Sequence, residues 1–346
     1  MKALYRGGSP GVWRAAAARL RADRLGLAAL AVVLAFLLLV LLSSVGMVAA
    51  NWQQEVAVPN APPTVMGPRV EVNMADALSA AAGGQDDWLD LTPVDPLAPK
   101  YAEWKARAAQ IQVSEPTRAQ TLPLGADRLG RDVLAKAIKG AEVSIFVGVF
   151  AAVVATLIGT FLGALAGYVG GRVDDALEWV YNVFTAIPDI LLIFAFAAVL
   201  GRGIATVVLI LALVGWTGMY RQVRAEYIKH RGREYVRAAQ AIGVTHLQRM
   251  FVHILPNVSH VVLVRMSILV VGFIKAEVIL SFLGLGVPVD AVSWGTMLSE
   301  AQVELVRGYW WQLATATVFM AVFVTAFALF TDALRDALDP KLRAQT

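Results

Sequence analysis

Four ionisable residues stand deep inside apolar stretches of this chain: Asp189, Arg265, Lys275 and Glu277. Charged side chains at membrane depth usually face a protein interior or a wet pathway. Lys275 and Glu277, with Asp189 and the adjacent Pro188, are therefore candidate lining residues of such a pathway. A spacing of two residues keeps Lys275 and Glu277 off a common helix face, and the alternative is that both reach the outer interface. Pro188 predicts a kink, because proline removes a backbone donor.

Catalytic and metal-binding sequence patterns do not occur in the chain. The dipeptide Gly-Lys is absent, so there is no phosphate-cradling GxxxxGK[ST] loop, and none of the four histidines belongs to an HExxH motif. With no cysteine, thiolate nucleophiles, Fe–S clusters and cysteine zinc sites are excluded. A membrane protease would need a catalytic pair inside the bilayer, which the sequence does not offer. We expect no ATP hydrolysis, metal or cofactor in this chain.

The composition indicates a polytopic membrane protein built from helices. Of 346 residues, 58% are hydrophobic and only 16% are charged, against about 25% charge in soluble domains. A helix needs about 20 apolar residues to cross the hydrocarbon. Six stretches qualify and predict six spans: 25–50, 143–168, 177–200, 204–220, 254–283 and 309–330. A cleaved signal peptide is the alternative for the first, although its apolar core exceeds the usual 7 to 15 residues.

The distribution of positive charge predicts the orientation of these spans. The tails and the loops around 172 and 221–253 carry 17 Lys and Arg, whereas the opposite side carries 11 over a longer stretch of chain. Because cytoplasmic loops are enriched in Lys and Arg, both termini are predicted to be cytoplasmic. The basic excess is thus a topology signal, and it gives no support to a nucleic-acid site.

The chain is expected to divide into five parts. A cytoplasmic tail (1–24) and the first span (25–50) precede a Pro-rich extracytoplasmic insertion (51–122), which has one helix-like patch at Tyr101–Ile111. A transmembrane core (123–331) contains the basic loop 221–253, and a cytoplasmic tail (332–346) follows. Pro-rich, mixed-charge segments bury little apolar area, so the insertion is interpreted as a loose tether or cap. A cap that contacts a partner protein is the alternative.

Glycines indicate a turn at one place in the transmembrane core and a packed helix face at another. Gly125, Asp127, Gly130 and Asp132 predict a turn before a long helix, with Asp132 placed as its N-cap. Further along, three glycines recur every fourth residue, which puts them on one helix face and predicts close packing against a neighbouring helix. These are Gly159, Gly163 and Gly167.

The most informative segment is 234–257, EYVRAAQAIGVTHLQRMFVHILPN, in the basic loop. It predicts a short helix that ends at Gly243, a second amphipathic piece, and re-entry into the membrane at Pro256. Ala238, Ala239 and Ile242 form a smooth apolar knob that would fit a groove on a partner. An amphipathic helix lying on the lipid surface is the competing interpretation.

This segment resembles the cytoplasmic signature of ABC importer permeases, EAA, three residues, Gly, and later an Ile-x-x-Leu-Pro-like ending. Ala238, Ala239, Gly243, Leu255 and Pro256 fall on the family positions. Arg237 stands where the name-giving Glu would be, although EYVRAA from Glu234 is similar to peptide-type members. The resemblance implies that Glu234 to Gly243 form a coupling helix that docks on an ATPase subunit.

Three other segments resemble the second permease of dipeptide, oligopeptide and nickel importers. They are LGADRLGRDVL from Leu124, EVILSFLGLG from Glu277 with a following SWGTML, and DALRDALDPKLR from Asp332. The second of these contributes Ser281, Gly284, Gly286, Trp294 and Gly295 as motif positions. The segment 51–121 matches nothing in the family pattern.

Membership of this family implies the type I importer permease fold and a bacterial inner-membrane location. It also implies several partners: a second permease, two cytoplasmic ATPase subunits that bind ATP and Mg²⁺, and an extracytoplasmic solute-binding protein. The expected function is ATP-driven import of di- or oligopeptides. Nickel or another small solute is an alternative cargo, and an autonomous channel or secondary transporter is an alternative of a different class.

Overall fold

The computed structural model describes residues 18–68, 95–110 and 118–338. The predicted features that fall on 1–17, 69–94, 111–117 and 339–346 lie outside these residues; they include most of the N-terminal tail and the DPKLR end of the C-terminal tail. The contacts divide the chain into two units. One unit comprises the residues before Gln54 and after Asp132, and the other is Gln54–Asp132.

The larger unit is helical. Its helices are α1 (Arg24–Ser44), α3 (Val133–Val169), α4 (Gly171–Thr185), α5 (Asp189–Leu200), α6 (Ile204–Arg231), α7 (Glu234–Ala241), α8 (His246–Gln248), α9 (Leu255–Phe282), α10 (Trp294–Val306) and α11 (Trp311–Leu338). A π-helical turn, Arg249–Ile254, joins α8 to α9. The smaller unit contributes α2 (Tyr101–Gln110), where the helix-like patch was predicted, and short 3₁₀ turns at Thr64–Met66 and Ala98–Lys100.

The helices confirm a polytopic architecture but not the count of six spans. Four of the described helices, α1, α3, α6 and α11, are long and apolar enough to cross a membrane, and the pair α4 and α5 adds a fifth if it forms one span. The predicted span 177–200 is not one straight helix, because α4 and α5 are separate helices bent by 83°, and whether the pair forms one span stays a prediction. Pro188 is the N-cap of α5, and its missing N–H accounts for the break. The fifth predicted span, 254–283, corresponds to α9, which contains the charged residues Arg265, Lys275 and Glu277.

Contact between α3 and α6 organises the larger unit. A Cβ added at Gly159, Gly163 or Gly167 would lie 2.6, 2.7 or 2.5 Å from a backbone carbonyl oxygen of α6. Those oxygens belong to Trp216, Tyr220 and Arg224, which are also spaced by four residues. Only glycine allows backbones to approach this closely, as at small-residue interfaces in membranes. The residue numbers rise together along both helices, so α3 and α6 are parallel.

The parallel arrangement fixes the paths of the other helices. Helix α3 and the part of α6 that pairs with it end at the same level. The segment that connects the two helices, α4 and α5, must therefore run back along the length of the pair before α6 begins. Arg224 anchors α4 to α6 through a bidentate ion pair with Asp174, at 2.6 and 2.9 Å. Helix α9 runs antiparallel to both, since Gly148 of α3 lies against Ile274 and Gly218 of α6 lies against Arg265.

The smaller unit is held by turns and isolated β-bridges between residues 55–63 and 119–132. Ala57, Ala61 and Ala126 form its buried apolar centre. The buried carboxylate of Asp127 accepts hydrogen bonds from the backbone N–H groups of Leu129 and Arg131. The turn 123–132 packs with residues of the insertion, so the smaller unit extends to Asp132. The functional division predicted at residue 122 stays a prediction. The N-cap role of Asp132 stays a prediction, and α3 begins directly after it.

The close contact between α3 and α6 predicts that alanine in place of glycine has opposite effects on folding stability at two helical positions. In Gly163→Ala the new Cβ would meet the Tyr220 carbonyl oxygen, so we expect a loss of about 1–3 kcal/mol of folding stability. In Gly272→Ala the Cβ meets nothing within 4 Å, and alanine favours the helix by about 1 kcal/mol. Thermal unfolding in detergent should show a lower Tm for the first variant only. An equal Tm for both variants would contradict the close approach of α3 and α6.

Candidate functional site

Helix α7 presents one face to solvent and buries the other. Val236 and Ala239 are 2% and 5% exposed, whereas Ile242, which follows the helix, is 81% exposed. Ala238 is exposed as well. The prediction of one knob containing both alanines is therefore wrong in part: Ala238 and Ile242, four residues apart, lie on the outer face, and Ala239 packs against the chain itself. Glu234 and Arg237 are exposed and flank the outer face.

The turn after α7 is fixed by hydrogen bonds that require Gly243. The Val244 N–H donates to the Ala239 carbonyl oxygen, and the Gly243 N–H donates to that of Gln240, both at 3.0 Å. This Schellman arrangement needs a residue with a positive φ, and Gly243 has φ +82°. Thr245 then caps α8 through a capping box with Gln248. The direction of the loop on leaving α7 is thus set by local sequence.

The return into α9 passes through the π-helical turn Arg249–Ile254. Pro256 lies in the first turn of α9, where its missing N–H costs nothing, and Leu255 beside it is half-buried. The buried Tyr227 hydroxyl of α6 donates to the Met250 carbonyl oxygen at 3.1 Å. A hydrogen bond therefore joins the end of α6 to the widened turn.

Tyr168, next to Gly167 at the end of α3, makes three contacts with the loop region. Its hydroxyl lies 3.2 Å from His246 Nδ1, and its carbonyl oxygen accepts from Arg231 Nη1 at 3.3 Å. The Arg249 guanidinium lies 5.8 Å from the centre of its ring, within cation–π range. The loop region that carries α7 is therefore attached to the ends of both α3 and α6. We call this attachment the base of α7.

The second set of predicted positions meets at the other end of α9. Glu277 is fully buried, and Ser281 Oγ donates to Glu277 Oε1 at 2.6 Å. The Trp294 N–H donates to Ser144 Oγ of α3 at 3.2 Å, and its indole N–H donates to the Ala137 carbonyl oxygen at 3.1 Å. The motif residues thus join α3, α9 and α10 in a buried polar contact.

Glycines bring the backbones together around this contact. A Cβ on Gly295 would lie 2.5 Å from the Val278 carbonyl oxygen, and a Cβ on Gly286 would overlap Ser281. Gly284 ends the turn after α9 with φ +76°. The ExxLSFLGLG and SWG patterns therefore place glycines where backbone segments of this chain pack closely.

The candidate lining residues separate into two groups. The carboxylate of Glu277 is fully buried among side chains of this chain, and its role as a lining residue stays a prediction. Lys275 is exposed on the opposite side of α9, and Pro188 and Asp189 are exposed at the break between α4 and α5. These three stay predictions.

Two charged contacts had no signal in the sequence. Buried Lys136 of α3 donates to Glu300 of α10 at 2.6 Å and to Gln312 of α11 at 3.1 Å, and the Arg224–Asp174 pair joins α6 to α4. The partners are 50 to 176 residues apart, so no local pattern indicates them. Tyr168, Tyr227 and Arg249 were missed for the same reason.

Comparison with known proteins identifies the class of this protein. Residues 159–344 match the model of the family described as binding-protein-dependent transport system inner membrane component, and the chain belongs to that family. It is a membrane permease subunit of ABC transporters, a class whose members work with other transporter subunits.

Its relatives carry peptide-transport names. The chain is 36% identical to the oligopeptide transport system permease protein OppC of Bacillus subtilis, over 71% of this chain and 80% of that protein. It is 39% identical to the dipeptide transport system permease protein DppC of Escherichia coli, over 64% and 73%. It is 38% identical to OppC of Salmonella typhimurium, over 66% and 76%.

The two alanines of α7 should respond differently to a charge. Ala239→Asp places a carboxylate in a buried position, which costs several kcal/mol unless the helix lifts away. We therefore expect faster proteolytic cleavage in the loop 232–248 for Ala239→Asp than for the unaltered chain. The matched variant Ala238→Asp, on the exposed face, should be cleaved at the unaltered rate. Equal cleavage of both variants would contradict the assigned inner and outer faces.

Proposed function

We propose that this chain is one of two permease subunits of an ATP-driven importer of di- or oligopeptides. The family assignment supports the transport role, and the names of OppC and DppC relatives support peptides as the cargo. Nickel and other small solutes, and an autonomous channel, are not favoured by these relatives. In the proposed complex a second permease supplies the other half of the pathway.

The observation that carries the coupling role is the exposed outer face of α7. Ala238 and Ile242 present apolar surface at the end of a basic loop, while Val236 and Ala239 fasten the helix to its base. A short helix with such a face fits a hydrophobic groove on a partner protein. In our proposal the partners are two cytoplasmic ATPase subunits, so this end of the chain and both termini are cytoplasmic.

The attachment of the α7 loop to α3 and α6 suggests how movement of the ATPase subunits reaches the transmembrane helices. When the ATPase subunits bind ATP and close, the groove that holds Ala238 and Ile242 moves. Tyr168 and Tyr227 connect the loop region to α3 and α6, whose glycine contact resists separation. The paired helices would then move as one body and alternate the access of the pathway, in the manner of rigid-body transitions.

ATP and Mg²⁺ are assigned to the partner subunits, so this chain is proposed to be non-catalytic. An extracytoplasmic solute-binding protein would deliver the peptide at the opposite membrane face. The unit Gln54–Asp132 is our candidate for contact with it, because the positive-inside distribution favours an extracytoplasmic position for this unit. The inner membrane of a bacterium is the corresponding location.

A charge on the outer face of α7 should uncouple the transporter. We expect Ile242→Asp to reduce ATPase subunits co-purified in mild detergent by at least about tenfold, because the carboxylate would have to be desolvated in an apolar groove. Peptide uptake should fall in parallel while the amount of chain in the membrane is unchanged.

The matched control is Val289→Asp, which changes an equally exposed apolar residue in the loop after α9. It should leave the recovery of ATPase subunits unchanged. Full recovery and uptake in Ile242→Asp would remove the coupling assignment, and α7 would then be interpreted as a helix on the lipid surface.

A further inference from the structure

The helical path from α8 into α9 is interrupted by the π-helical turn Arg249–Ile254. In such a turn the backbone hydrogen bonds join residues five apart, where an α-helix joins residues four apart. The closing bond is present here, because the Leu255 N–H donates to the Met250 carbonyl oxygen. The turn therefore contains one residue more than an α-helical turn would. Turns of this kind are rare and occur frequently at functional sites.

Pro256, two residues after the turn, gives a physical reason for the widening. In an α-helix the ring of a proline collides with the carbonyl oxygen four residues earlier, which here belongs to Val252. A wider turn relieves this collision, so the helical path continues from α8 into α9 and does not end. Prolines and π-helical turns are also the usual causes of sharp helix bends. Two such causes thus coincide between α8 and α9.

Side chains supply partners for two carbonyl oxygens of the turn. The Met250 carbonyl oxygen accepts from the buried Tyr227 hydroxyl of α6 at 3.1 Å, in addition to its backbone bond. The His253 carbonyl oxygen accepts from the Asn257 side-chain amide at 2.7 Å. A carbonyl group that is buried without a partner is costly. Because these two oxygens keep a partner, the backbone bonds of the turn can be exchanged at low cost.

The two halves of α9 are packed differently. All of its buried residues except Val258 lie at Ser267 or beyond, and the contact around Glu277 fastens that half to α3 and α10. We call residues 255–266 the loop-end half of α9. From position 259 to 266 every residue is only half-buried. The loop-end half is therefore held less firmly than the far half.

A cavity of about 310 Å³ lies beside the loop-end half, between α6, α9 and α11. Val261, Val264 and Arg265 of α9 line it, together with Gln222 of α6 and Arg335 of α11. Packed protein interiors contain few voids larger than a water molecule. A cavity of this size gives the loop-end half room to move without displacing a whole helix.

Helix α7 contacts the π-helical turn directly. Val236 of α7 and Met250 of the turn are both buried, and both line a second cavity next to Tyr168 of α3. The turn also lies between the two attachments of the loop, Tyr168 on one side and Tyr227 on the other. A displacement of α7 therefore acts on the π-helical turn before it reaches α9.

We propose that the π-helical turn Arg249–Ile254 is a hinge that lets α9 pivot about its far end, which the contact around Glu277 holds against α3 and α10. The loop-end half of α9 then moves most, and the cavity between α6, α9 and α11 changes its width. The inference rests on the proposed function for the source of the movement, because closure of the ATPase subunits displaces α7.

Distances between spin labels test the pivot directly, in a full complex in nanodiscs whose partner subunits are also free of cysteine. Gln222→Cys with His260→Cys spans the cavity, and Phe146→Cys with Ile279→Cys places a matched exposed pair on α3 and the far half of α9. Binding of a non-hydrolysable ATP analogue should change the 222–260 distance by about 2 Å or more, as in other helix shifts. The 146–279 distance should stay constant.

A shortened chain tests whether the hinge is needed for transport. Deleting the exposed Val252 removes the extra residue, and Pro256→Ala removes the ring that opposes an α-helical turn. With the turn closed into an α-helix, co-purification of the ATPase subunits should be unchanged, while peptide uptake should fall by at least about tenfold. Val252→Ala with Pro256 retained is the matched control and should keep full uptake.

The hinge and the importer function fail in different ways. A constant 222–260 distance in a complex that contains ATPase subunits and binds the analogue would overturn the hinge alone, as would full uptake by the shortened chain. Absence of ATPase subunits from the purified unaltered chain would overturn the proposed function, and with it the source of the movement. The spin-label pairs need no deletion, so they decide the question even if the shortened chain does not fold.

Discussion

The close backbone contact between α3 and α6 is the constraint on which the larger unit depends. Three glycines of α3 face three carbonyl oxygens of α6 at matching four-residue intervals, so the two helices have one register and one direction. Because they are parallel, α4 and α5 have to return between them, and α9 runs antiparallel along both. Because lipid tails are as apolar as the helices, the hydrophobic effect does not drive helix association in a bilayer. The close fit of small residues supplies the packing contacts instead.

The same contact gives the loop 232–254 a firm attachment. Tyr168 follows the last glycine of the α3 stripe, and Tyr227 lies one turn beyond the last paired carbonyl of α6. Both tyrosines reach residues of the loop or of the π-helical turn. A force on the outer face of α7 would therefore act on a paired-helix body, and the buried contact of Ser144, Glu277 and Trp294 would carry it to α9 and α10.

Local patterns in the sequence predicted much of this structure. The features that were missed depend on contacts between residues far apart in the sequence. The apolar stretches located the long helices, the four-residue glycine spacing indicated a packed face, and Gly243 and Pro256 marked real turns. The inner position of Ala239 was missed, because two adjacent apolar residues do not show which one faces the chain. Glu277 was predicted to line a pathway because charges at membrane depth usually do. Its burial depends on packing among α3, α9 and α10, which no local pattern shows.

The central claim is that Ile242 touches an ATPase subunit while Ala239 faces its own chain. Since the natural chain has no cysteine, Ile242→Cys and Ala239→Cys give single-site probes for crosslinking in native membranes, with mass spectrometry of the products. The account predicts a crosslink between residue 242 and a cytoplasmic ATPase subunit, and none from residue 239. Crosslinks from residue 242 to lipid alone, or equal ATPase crosslinks from both positions, would contradict it.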